Sequence, residues 1–153
     1  MNIPNVPEAT DIEALVLGAM LTDADAVESV LGLGSEDFYL IQHRQIHGAA
    51  KWLHEHGQDI DRITVGRRLQ EQGQLESVGG MTYLVGLDTA LPRIYGLTGY
   101  LGTLRTVSTL RRAAIGAHSL SERLCLPGAG ISEIRAAESF LRDLAAYADG
   151  QQV

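Results

Sequence analysis

The sequence predicts an all-α protein, a compact multi-helix head followed by a long helical hairpin. Three observations carry this expectation. Apolar residues recur at three- and four-residue intervals through most of the 153-residue chain, and no stretch alternates convincingly enough to read as a strand. Helix start and stop signals punctuate the first two thirds at short intervals. The last third holds a proline-free run, Leu97–Leu124, then a Pro-Gly turn and a second periodic run, the pattern of two arms joined at a tip.

Thr10-x-x-Glu13 reads as a capping box opening a first helix with apolar Ile12, Leu15, Val16, Ala19 and Met20. Glu8, Asp11 and Glu13 gather at that helix start, where the helix dipole favours acidic side chains. A short second helix is expected from about Ala24 to Leu31, stopped by Gly32-Leu33-Gly34. From Ile41 to His56 the stripe Ile46, Ala49, Ala50 and Leu53 predicts a third, ending at Gly57. Asp61 caps a helix through Leu69 that closes at Gly73, and Ser77 caps one running to about Ala90, broken by Pro92. Leu97–Leu124 predicts one helix of around 40 Å, with a bend expected near Gly99 or Gly102. After Leu126-Pro127-Gly128-Ala129-Gly130, Ser132 caps the second arm. The chain therefore divides into an N-terminal arm (1–10), a head (11–96), a hairpin (97–148) and a tail or start of a linker (149–153).

Composition excludes several functions. Apolar residues are 45% and charged residues 20%, ordinary for a globular chain, and no run of about 18 apolar residues could span a membrane. The N-terminus lacks the basic and apolar regions of a secretory signal. Cys125 is the single cysteine, so no intrachain disulfide forms; it is expected to be small and partly buried in a cytoplasmic protein. The net charge of −7, with dispersed arginines, argues against direct strong DNA binding. Lys51 is the only lysine and lies inside a helical pattern, so a Walker A phosphate loop is excluded.

No nucleophile elbow, C-x-x-C pair or Gly-rich phosphate loop is present, and Gly79-Gly80 reads as helix-start packing. His43 and His47 stand at i, i+4, the spacing of a zincin pair, but Arg44 replaces the general-base glutamate, so they read as surface or helix-packing residues. Phe38, Tyr39 and Trp52 are too scattered to form a base-stacking platform and read as core. No catalytic, cofactor or metal residue is predicted, and no cofactor.

The expected interaction surface is the hairpin. Ile134, Ala137, Leu141, Leu144 and Ala148 recur at 3-4 spacing, and Leu110, Ala114, Ala117 and Leu124 offer a matching face. Ile115, Leu120 and Phe140 fall away from that single stripe. Two arms cannot bury all of this on each other, so a second chain is expected to cover the excess. The candidate self-association or partner-binding residues are Leu110, Ala114, Ile115, Leu120, Ile134, Ala137, Phe140, Leu141 and Leu144.

Between Glu36 and Leu84 several short signals follow in one order. They are Glu36-Asp37-Phe38-Tyr39, His43-Arg44-Gln45-Ile46, Asp59-Ile60-Asp61 before Ile63-Thr64-Val65, Gly73-x-Leu75, and Val78-Gly79-Gly80 before Tyr83-Leu84. This series resembles the N-terminal domain of bacterial replicative DNA helicases of the DnaB type. The likeness extends back to Glu13 with Val16–Leu21, and forward to Pro92, Tyr100, Leu110 and Arg111. It departs at Ile12, where the family usually has alanine, and near Gly96, where it usually has asparagine. The resemblance implies an all-helical head and a hairpin. It also implies dimers assembling into a collar of threefold symmetry, docking of DNA primase on the hairpins, and a separate motor domain of the same helicase. The expected function is the collar and partner-binding domain of a replicative helicase. A stand-alone adaptor of the same fold and a small metal-dependent helical enzyme are the alternatives.

Overall fold

The computed structural model describes residues 5–89 and 96–150. The described residues form α1 (Thr10–Thr22), α2 (Ala24–Leu31), a 3-10 turn (Ser35–Asp37), α3 (Ile41–Glu55), α4 (Arg62–Glu71), α5 (Gly80–Thr89), α6 (Leu97–Leu124) and α7 (Ile131–Gly150), with no strand among them. The all-α expectation holds. They fall into two compact units, one spanning Ala9–Leu104 and the other containing Arg105 onward with the residues before Ala9. Pro92 and the end of the expected tail, 151–153, lie outside the described residues.

The head is organised around α1, which touches α2, α3 and α5, while α4 packs on α3 and α5. Every residue from Val16 to Leu21 is buried, because neighbours cover α1 on several sides rather than along one stripe. Leu17, Met20, Phe38, Ile46, Leu69 and Leu84 are fully buried, each adding about 1.5–3 kcal/mol of apolar burial. On α3 the buried positions His43, Ile46, His47, Ala49, Ala50 and Leu53 form the helical stripe that periodicity predicts, with both histidines inside it.

Local chemistry sets most helix ends. The Asp23 carboxylate accepts from Asp25 N at 2.9 Å and starts α2. Asp61 accepts from Ile63 N at 2.7 Å and Thr64 N at 2.8 Å, and Asp61 N donates back to Thr64 Oγ1 at 3.0 Å, a capping box.

Three expected caps are corrected. The N-cap of α1 is Ala9, which supplies no side-chain bond, and Glu13 turns inward to serve another helix. α5 starts at Gly80, not after Ser77, whose hydroxyl donates to Gln74 O at 2.7 Å. Gly79 and Gly80 have φ of 102° and 70°, a left-handed pair that redirects the chain before the helix can begin. α7 starts at Ile131, and the Glu133 carboxylate reaches back to accept from Gly130 N at 2.8 Å and from the Ser132 hydroxyl at 2.7 Å. Those bonds, the Ser132 hydroxyl first, hold the Glu133 carboxyl below its ordinary range.

α6 is a single 28-residue helix, about 42 Å long, that continues through Gly99, Gly102 and Gly116. Cys125 is exposed, not partly buried, because the whole stretch from Ser121 to Ser132 faces solvent. No described helix is long and apolar enough to cross a membrane.

Candidate interaction surface

Within the second unit, two contacts hold the arms together. A Cβ on Gly116 would come within 2.0 Å of the Phe140 ring, so only glycine leaves α6 flat enough for that ring to lie on it. The Arg112 guanidinium stacks over Tyr147, 4.5 Å from its centroid. Beside it, Arg111 is 5% exposed and donates to Pro7 O at 3.0 Å. A groove of about 410 Å³ runs between the arms, lined by Arg112, Ile115, Gly116, Phe140, Asp143, Leu144 and Tyr147.

These contacts fix which way each helix faces. With roughly 100° between successive residues, Arg112 and Gly116 point inward on α6, and Phe140 and Tyr147 point inward on α7. Ile115 and Asp143 then lie on one flank, beside the groove. Leu110, Ala117 and Leu124 recur every seven residues on the other flank of α6, and Ile134 and Leu141 do so on the same side of α7. Exposure agrees with this assignment. Leu110 is 53%, Leu124 43%, Ile134 60% and Leu141 55% exposed, whereas Leu120, Ala137 and Leu144, nearer the inner face, are half-buried.

The nine expected surface residues are thus sorted in two. Leu110, Ile115, Ile134 and Leu141 are exposed; Ala114, Leu120, Ala137, Phe140 and Leu144 are half-buried. Two readings change. Phe140 is not spare apolar surface, because it fills the space above Gly116 of its own chain. Ile134 and Leu141, expected in the seam between the arms, face outward instead. The seven-residue repeat was visible in the sequence, but the side of the repeat that meets the partner arm is chosen by Gly116. Near this surface Arg142 and Glu138 pair at 2.6 Å in full view of solvent, which contributes at most about 0.5 kcal/mol.

The head contains a buried polar chain that periodicity does not reveal. Glu13 of α1 accepts from Tyr39 N and from Leu40 N at 3.4 Å, capping the N-terminus of α3, and its Oε2 lies 2.6 Å from His43 Nδ1. A carboxylate only accepts, so Nδ1 donates to Glu13, and Nε2 lies within hydrogen-bond distance of the Tyr83 hydroxyl, at 2.7 Å. Glu13 and His43 side chains are each 1% exposed, so no substrate reaches the chain and it acts as a brace joining α1, α3 and α5. Its sole sequence signal is an acidic residue among apolar positions of α1.

His47 donates from Nε2 to Val30 O at 3.2 Å, and burial, the dominant cause, lowers its pKa. With His43 engaged at both ring nitrogens, the i, i+4 pair is part of the core. Among the described residues no group of three or more His, Cys, Asp or Glu is placed to hold a metal ion. Phe38 is fully buried, Tyr39 is 40% exposed, and Trp52 is covered by the Arg68 guanidinium at 3.7 Å and the His56 ring at 3.8 Å. These three aromatics therefore form no joint platform.

Comparison with known proteins gives one answer. Residues 5–106 match the family described as DnaB-like helicase N terminal domain. The chain is 33% identical over 117 residues to the replicative DNA helicase DnaB of Geobacillus stearothermophilus, a stretch covering 76% of this chain and 26% of that protein. It thus spans about a quarter of that relative's length. Its structure is similar to the N-terminal domain of DnaB helicase from Mycobacterium tuberculosis, with a TM-score of 0.83 and 28% identity, covering 91% of this chain and 99% of that one. A DnaB-like replicative helicase, solved in a study of its interactions with primase, shares the fold with a TM-score of 0.74 at 24% identity, over 89% of this chain and 31% of that one.

Proposed function

The chain belongs to the DnaB-like helicase N-terminal domain family, and on that premise we propose that it serves DNA replication as the collar domain of a replicative helicase. It assembles with further copies of itself through the hairpin and presents the assembled hairpins to DNA primase. In this reading it is a cytoplasmic binding and assembly domain, with no catalytic step and no cofactor of its own. ATP hydrolysis and translocation fall to a motor domain of the same helicase.

The observation that carries this reading is the flank of Leu110, Ile134 and Leu141, each more than half exposed on one side of the hairpin. Apolar side chains aligned in this way mark a surface that another chain covers. The primase reading rests on family membership, and the mixed charge along the hairpin suits a polar-rimmed interface.

The test is calorimetric titration of the chain with the C-terminal region of the cognate primase. Binding is expected, and it should weaken when Leu141→Glu breaks the assembly, because the docking site spans neighbouring copies. Equal binding by a monomeric Leu141→Glu variant would remove the composite site, and no binding by the unaltered chain would favour an adaptor role.

A further inference from the structure

His47 is the one described histidine whose environment is sealed but incomplete. Its residue is 0% exposed, Nε2–H donates to Val30 O of α2 at 3.2 Å, and the ring tilts against Phe38 with centroids 5.0 Å apart. Nδ1 is buried and has no hydrogen-bond partner. A neutral ring tolerates this, since a lone pair is left idle. A proton on Nδ1 would instead create a second donor, and a full charge, with no acceptor opposite it.

Neighbouring charges act on the ring from a distance, but none of them accepts from Nδ1. Asp37 and Glu36 of the Ser35–Asp37 turn favour the cation, but Asp37 Oδ2 already accepts from Gly34 N at 2.8 Å. Lys51, one turn further along α3, opposes it. One turn earlier, His43 has both nitrogens engaged, and Glu13 of α1 is committed to Tyr39, Leu40 and His43. α2 presents the Val30 carbonyl, which already holds the Nε2 proton.

We propose that His47 is an acid-operated latch between α2, the Ser35–Asp37 turn and α3. Proton uptake at Nδ1 places a buried, charged N–H without an acceptor in that junction and frees α2 and the turn from α3. The Glu13–His43–Tyr83 chain meanwhile keeps α1, α3 and α5 together, so the head opens locally rather than unfolding. Burial already holds the ring below its ordinary affinity for protons, which sets opening below the usual histidine range. Local opening of this kind belongs to the weaker cooperative parts of a fold.

Amide hydrogen exchange, corrected for the intrinsic effect of pH, tests the latch in the intact chain. Lowering pH from about 7.5 to about 5 should speed exchange at the α2 amides and at Asp37 and Phe38 at least tenfold, with α4 and α5 unchanged. His47→Gln retains a donor for Val30 O and cannot titrate, so the acceleration should disappear. Equal acceleration in His47→Gln, no acceleration in the unaltered chain, or simultaneous acceleration in every helix would each overturn the proposal. If His47→Gln fails to fold, an NMR titration of the unaltered chain decides. The His47 ring must titrate below the ordinary 6.5, with α2 amides shifting at the same midpoint. An ordinary midpoint, or α2 amides that ignore it, would refute the latch.

Discussion

The Glu13 carboxylate of α1 and the His43 ring of α3 lie 2.6 Å apart with only 1% of either side chain exposed. The same carboxylate accepts from Tyr39 N, 26 residues further on, to close the N-terminus of α3, and it fixes an imidazole against Tyr83. Removing Glu13 orphans two backbone N–H groups and the His43 donor together. Glu13→Ala should therefore cost about 3–5 kcal/mol, and Tyr83→Phe about 1 kcal/mol, since only one bond is lost. Urea denaturation of both variants checks this order. Equal costs would mean that the three groups do not act as a chain.

At the start of α4, Asp61→Ala should cost about 1 kcal/mol, the usual value of a helix cap. Its backbone bond from Thr64, first among the causes, lowers the Asp61 pKa below the ordinary 3.8. A group depressed in the folded state stabilises fully above its unfolded value, and the gain fades as pH falls through the lower folded value. The Asp61→Ala deficit should thus be constant above about pH 5 and shrink below about pH 4, as thermal melts across that range would read.

The contrast between Asp61 and Glu13 shows what the sequence makes legible. Asp61 acts on residues two and three positions away, so its cap is readable from spacing alone. The bounds of α2, α3 and α6 follow from periodicity and breakers in the same local way. Glu13 is also followed by apolar helical spacing, and the capping-box pattern misassigns it, because its partners come from α3, folded against it. Ser77 and Ser132 fail as caps for a different reason. A left-handed glycine pair and the Glu133 carboxylate set those helix starts more strongly than a serine hydroxyl. On the hairpin, the 3-4 repeat identifies the apolar residues, but the inward direction depends on Gly116 lying under Phe140, a contact across the turn.

Gly116→Ala sets two effects against each other. Alanine favours a helix by up to about 1 kcal/mol over glycine, whereas a Cβ placed 2.0 Å from the Phe140 ring must displace it at about 1–3 kcal/mol. A net loss near 1 kcal/mol is expected, and shortening the ring with Phe140→Leu should abolish the cost of adding the Cβ. A double-mutant cycle by chemical denaturation measures the coupling, and additive effects would contradict the contact.

The single lysine, Lys51, is exposed on α3, inside a helix rather than after a phosphate-binding turn. Isothermal titration with ATP should accordingly give no binding heat, and incubation should release no phosphate. Micromolar affinity for ATP would contradict the reading of this chain as a domain without a nucleotide site.

The exposed flank of the hairpin is the surface proposed to join copies of this chain. Sedimentation velocity of the unaltered chain and of Ile134→Glu and Leu141→Glu tests it most directly, with circular dichroism as the control for folding. Both side chains are more than half exposed, at 60% and 55%, so neither substitution disturbs the packing of one arm on the other. A dimer or larger assembly is expected for the unaltered chain and a folded monomer for both variants. A monomer for the unaltered chain at high micromolar concentration, or variants that assemble as well as it does, would contradict the proposal.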